Sequence, residues 1–61
     1  MKYISFTHEG ENIAVNRDAI AYVGQRGNTA VLYFNAVNKE GRLIHISVDE
    51  DYNDVIAMLN A

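Results

Sequence analysis

The side-chain period of this chain changes once, near its end, and that change constrains the fold more than any other feature. Between Arg42 and Val48 the apolar residues Ile44, Ile46 and Val48 recur at every second position, which places them on one face of a strand. After Asp49-Glu50-Asp51, the residues Tyr52, Val55, Ile56 and Leu59 fall at i, i+3, i+4 and i+7, the spacing of one helix face. Ser47 and Glu50 have capping-box spacing and Asp49 is an equally good N-cap, so the helix is expected to begin within two residues of this cluster. The carboxylates of Asp49, Glu50, Asp51 and Asp54 would then lie where the helix dipole favours negative charge.

Everything before this junction reads as strand. Ile4 and Phe6 alternate with Tyr3, Ser5 and Thr7, and Ile13 and Val15 resume the alternation after the turn residues Glu9-Gly10-Glu11-Asn12. Asn16-Arg17-Asp18 interrupts the pattern, since Asn and Asp side chains bond nearby backbone N–H groups, and a strand follows from Ala19 to Val23 after a bulge. The segment from Gly24 to Asn28 suits a hairpin loop before a strand from Thr29 to Phe34. Asn38-Lys39-Glu40-Gly41 is a further hairpin loop. The expected fold is α+β: an antiparallel β-meander of four to five strands with one C-terminal amphipathic helix packed on one face, as a single domain over residues 1–61. Tyr52, Val55, Ile56 and Leu59 should bury against Ile4, Phe6, Ile44 and Ile46.

A domain of 61 residues buries only about 60% of its unfolded surface, so its stability margin is thin. The chain has no cysteine, which removes disulfides and thiolate metal sites and fits a reducing, cytoplasmic setting. Two histidines are too few for a metal core. With 49% hydrophobic and 21% charged residues the chain is built to fold, and self-association, ahead of unusually good packing, is the leading means of stabilisation. Eight acidic and five basic residues give a formal charge of −3, which argues against a surface made to neutralise phosphates and so against a nucleic-acid partner. No apolar run reaches the length of a membrane span, and the N-terminus lacks the apolar core of a secretory signal.

No group of residues reaches the threshold of a reaction. Leu43 to Val48 followed by Asp49-Glu50 has the form of a nucleotide-hydrolase metal motif, but no Gly-rich phosphate loop accompanies it, and helix capping explains the same residues. His45 and Ser47 share a strand face without a third partner, so neither a catalytic residue nor a cofactor or metal site is assigned. The aromatic residues carry more information. Tyr3 and Tyr33 are expected, with Val31 and Leu43, on the sheet face opposite Ile4, Phe6 and Leu32, and a patch of this kind with few basic residues marks a protein interface. Arg17, Tyr22, Arg26 and Arg42 are the candidates for binding an anion or nucleotide once subunits assemble.

From Asn16 onward the order of signals resembles the small bacterial flagellar FlbD (SwrD) family. The residues that carry the likeness are Asn16 to Val23, a strand ending at Phe34, the Gly41 turn, and Ile46-Ser47-Val48 leading into Asp51 to Ile56. Arg17 stands where proline is expected, and the segment Asn35 to Gly41 is longer than that family's tight turn. The resemblance implies a small cytoplasmic accessory protein without catalysis. The same string is also similar to the first half of a LytTR-type DNA-binding domain, which continues well beyond its helix. The function expected is therefore a non-catalytic interaction protein acting as a homo-oligomer through a sheet face or edge, with itself or a second protein as partner. The alternative is a module that binds or sequesters a small anionic ligand or nucleotide at a subunit interface, such as a phage-encoded inhibitor of a host factor. A DNA-binding regulator ranks third.

Overall fold

A computed structural model describes residues 2–61. Five antiparallel strands and one C-terminal helix make an α+β fold. Strands β1 (Tyr3–His8) and β2 (Glu11–Asn16) form a two-stranded sheet. A single 3₁₀ turn (Arg17–Ala19) leads into β3 (Ile20–Arg26), which pairs with β4 (Thr29–Val37), which in turn pairs with β5 (Leu43–Asp51). Helix α1 (Tyr52–Leu59) closes the chain. No helix among the described residues is long and apolar enough to cross a membrane.

The hairpins follow from their turn residues. Glu9 and Gly10 both have positive φ, at 49° and 82°, between the paired His8 and Glu11, as a two-residue primed turn requires. Gly27, at φ 59°, takes the first central position between Arg26 and Thr29, where a type II′ turn needs glycine. Asn38 organises the last loop by accepting the backbone N–H groups of Glu40 and Arg42 on its side-chain oxygen.

Three irregularities shape the larger sheet. On β3 one extra residue, Ala21, falls between the pairs Ile20↔Phe34 and Tyr22↔Tyr33, so the bulge lies inside the strand rather than before Ala19 as expected, and it sets the parity of every later residue on the strand. Between Tyr33↔His45 and Val37↔Leu43, β4 carries two residues more than β5. Between Ala30↔Val48 and Thr29↔Asp51, β5 advances three residues while β4 advances one, so Asp49 and Glu50 have no partner across the ladder.

The core lies between one face of the three-stranded sheet and two covers, the β1–β2 hairpin and α1. Phe6 and Val15 from the hairpin, Ala30, Leu32 and Val48 from the sheet, and Val55 from the helix are its buried members. Tyr52, Met58 and Leu59 pack on it from the helix, whereas Ile56 is half-buried outside it, so the inward stripe takes Met58 in place of the expected Ile56. Ile44 has the inward parity of Ile46 yet is 43% exposed, contrary to expectation. The physical reason is length: an eight-residue helix is about 12 Å long, and nine residues of strand span about 30 Å.

The start of the helix also differs from expectation. β5 continues to Asp51, the residue that precedes the first helical turn, and Asp51 makes no side-chain capping bond. Neither Ser47 nor Asp49 is the cap. The carboxylates are drawn elsewhere: the Thr7 N–H donates to both oxygens of Glu50 at 3.0 Å, and the Gly10 N–H donates to Asp49 at 3.1 Å. His8 adds a 2.6 Å contact from Nδ1 to the Ser47 carbonyl oxygen. The unpaired residues of the β5 bulge thus join the two sheets, in place of a backbone ladder.

Candidate functional site

The alternation along β3, β4 and β5 assigns each residue of the outer face, the one turned away from the core. Because Ala30, Leu32 and Val48 point inward, their neighbours on the strands and those neighbours' ladder partners point outward. Four rows result: Arg26, Thr29 and Asp51; Gly24, Val31 and Ser47; Tyr22, Tyr33 and His45; and, past the β4 irregularity, Val37 and Leu43. Charge occurs only in the first row. The seven other acidic residues and the other basic residues lie elsewhere.

The aromatic row has a defined geometry. The rings of Tyr22 and Tyr33 are 4.4 Å apart between centroids and 13° from parallel, and His45 follows at 5.4 Å and 31°. Rings lying flat on a sheet cannot stack with cross-strand neighbours. A parallel pair at close to the strand spacing of about 4.8 Å must instead stand upright, with edges outward. The tyrosine faces are thereby used up on one another, apart from the outer side of Tyr22. A platform for nucleobases would need the opposite arrangement, with ring faces open to solvent.

Gly24 explains how the row fits. A Cβ there would lie 3.2 Å from Cε1 of Tyr33, so the ring leans over the glycine and along the face toward the row of Val31. Val31, the ladder partner of Gly24, is 3% exposed, although it is an outward residue outside the core cluster. The exposed apolar surface is carried by Tyr22 at 53% and Val37 at 60%, with Tyr33 and Leu43 half-buried and His45 exposed.

Four residues were expected at an interface, and the structure brings three of them to this face. Tyr33 and Leu43 present surface there, and Val31 lies there but is covered. Tyr3 is 61% exposed, but on the β1–β2 hairpin, paired with Asn16 and apart from the others. Sequence reasoning missed Val37, His45 and the charged row. Val37 lies three residues beyond the expected end of its strand, and the position of the row depends on the bulge at Ala21.

The candidate ligand-binding residues are not gathered in one chain. Arg17 is committed, its guanidinium donating to the carbonyl oxygens of Leu59 and, at 3.2 Å, Ala61, where cationic groups complement the end of a helix. Tyr22 is in the aromatic row. Arg26 and Arg42 flank opposite ends of the three-stranded sheet. His45 and Ser47 occupy adjacent rows of β5, with the imidazole beside Tyr33. His8 is engaged through both ring nitrogens, Nδ1 with Ser47 and Nε2 with Glu9 at 3.1 Å. Among the described residues no three His, Asp or Glu side chains converge as metal ligands, and no concave pocket opens. No protein-family model, curated protein or solved structure matches the chain.

Proposed function

We propose that this protein is a non-catalytic interaction module that associates with a second copy of itself through the outer face of β3, β4 and β5. The observation that carries the reading is the run of uncharged residues from Gly24 and Val31 to Val37 and Leu43, which includes three exposed aromatic or aliphatic side chains in a chain where one residue in five is charged. Depletion of charge with enrichment in tyrosine is the composition of an interface centre. A cytoplasmic setting fits a chain without cysteine.

The size of the face sets the strength. Three strands about 4.8 Å apart and about 30 Å long give a projected area of about 400 Å² on each copy, so two faces make a contact of about 800 Å², the size of a weak, transient interface. Association is then concentration-dependent, with dissociation constants in about the micromolar range. Upright rings contribute polar edges as well: tyrosine hydroxyls both donate and accept, and so does a neutral imidazole, which suits a surface that must complement itself.

Size-exclusion chromatography with light scattering over a dilution series tests this. The chain should dimerise at about tens of micromolar, and Tyr22→Glu, at an exposed position, should return it to a monomer with an unchanged circular dichroism spectrum. Val31→Lys is unsuitable, since it would bury a charge. A wild-type chain that stays strictly monomeric at these concentrations would overturn the proposal.

A further inference from the structure

We infer that the dimer axis runs along β4, so that each copy lays its β3 over the partner's β5 with the two β4 strands crossing at the centre. This rests on the face-to-face reading above and adds its symmetry. The inference comes from the row that carries charge. Arg26 and Asp51 occupy the same end of the outer face, on opposite edges of the sheet, with Thr29 between them. Two strand spacings, about 10 Å, separate their backbones. Among the described residues neither side chain is in an ion pair of its own chain.

Two packed sheets of the same chain admit two simple two-fold axes within the interface plane. An axis perpendicular to the strands reverses strand direction and lays Arg26 and Asp51 over the partner's other end, where Val37 and Leu43 lie. Asp51 would then lie over Leu43 of the partner subunit and Arg26 over the start of the partner's β3, so neither charge would meet its opposite. An axis along β4 keeps strand direction and exchanges the edges. Arg26 then faces Asp51 of the partner subunit, and the reciprocal pair forms on the other side. Tyr22 comes opposite the imidazole at position 45, and the glycine notch opposite the small Ser47. Tyr33 and Val37 meet their own copies on the axis.

The match is therefore made row by row: opposite charges at one end, hydroxyl and imidazole in the middle, and aliphatic groups at the other end. Packed sheets cross at about 30°, which displaces the outer rows sideways. The long, flexible arginine stem absorbs this offset, and the pair sits at the rim, where charge sets orientation more than strength.

Charge exchange tests the axis. Arg26→Glu and Asp51→Arg should each raise the dimer dissociation constant about tenfold, because two like-charge contacts replace two pairs. The double variant Arg26→Glu/Asp51→Arg should restore it to within about threefold of wild type, with circular dichroism confirming that all three fold. A second measurement does not depend on charge. The chain has no cysteine, so Val37→Cys introduces a single thiol, and a short bis-maleimide should join two copies through it at high yield. Failure of both the double variant to recover and Val37→Cys to cross-link would overturn the axis. If Tyr22→Glu still dissociated the dimer in that case, the face itself would stand; if no dimer formed at all, both readings would fall.

Discussion

The rotation of α1 about its own axis can be tested by comparing two adjacent residues. Val55 is fully buried among Phe6, Leu32 and Val48, and Ile56 is half-buried beside the core. Val55→Ala removes two buried carbons, about 1.6 kcal/mol of transfer free energy. A residual void of roughly 40 Å³ at about 24 cal/mol per Å³ adds about 1 kcal/mol. Alanine's better helix propensity returns about half a kcal/mol, for a net loss of about 2 kcal/mol. A chain of this length is stable by about 3–9 kcal/mol, so the loss is a large fraction of the total and lowers Tm by about 8–16 °C. Ile56→Ala removes three carbons yet should cost less than about 1 kcal/mol, because much of the side chain is already in water. Thermal and urea unfolding followed by circular dichroism, at one fixed protein concentration, measures both. Equal losses, or a larger loss for Ile56→Ala, would refute the orientation of the helix described above.

Two further substitutions probe the junction of the sheets. Glu50→Gln replaces the carboxylate that accepts the Thr7 N–H on both oxygens and should cost about 1–2 kcal/mol, with faster hydrogen exchange at the Thr7 amide as its specific signature. Ser47→Ala should change stability by no more than about 0.5 kcal/mol, since the helix begins at Tyr52 and the interaction with His8 uses the Ser47 backbone carbonyl; a loss above about 1 kcal/mol would give the hydroxyl a capping role after all.

The parts of the fold that were legible in the sequence are those decided by neighbouring residues. Gly10, Gly27 and Gly41 mark the loops, alternation marks the strands, and the broken pattern at Asn16 to Asp18 marks the 3₁₀ turn and the bulge that follows. The helix start was not legible, because three consecutive carboxylates suit a helix N-terminus and suit unpaired backbone N–H groups equally well. What decides between these is the position of Thr7 and Gly10, about forty residues away in the chain. The helix stripe was ambiguous for a related reason: over eight residues, Ile56 and Met58 flank the same inward line, and the way the helix docks on the three-stranded sheet decides between them. On the outer face, Tyr33 and Leu43 were legible from alternation. The burial of Val31 was not, since alternation assigns a residue to a face and says nothing of how the neighbouring side chains lie on it.

The joint made by Asp49 and Glu50 has a consequence for the order of folding. Each strand pair in this protein joins consecutive segments of the chain, so every ladder closes a short loop and forms at low entropic cost. Docking of the β1–β2 hairpin is different, for its contacts link residues 39 to 43 positions apart. Closing a loop ten times longer than a hairpin turn adds about 2 kcal/mol. The carboxylates that receive the hairpin project from a bulge that exists only once β5 has found its register on β4. Registration of the meander is therefore expected to precede capture of the hairpin, which brings Phe6 onto the core with Val48 and Val55. The contacts that complete the core are thus the ones that close the longest loop in the chain.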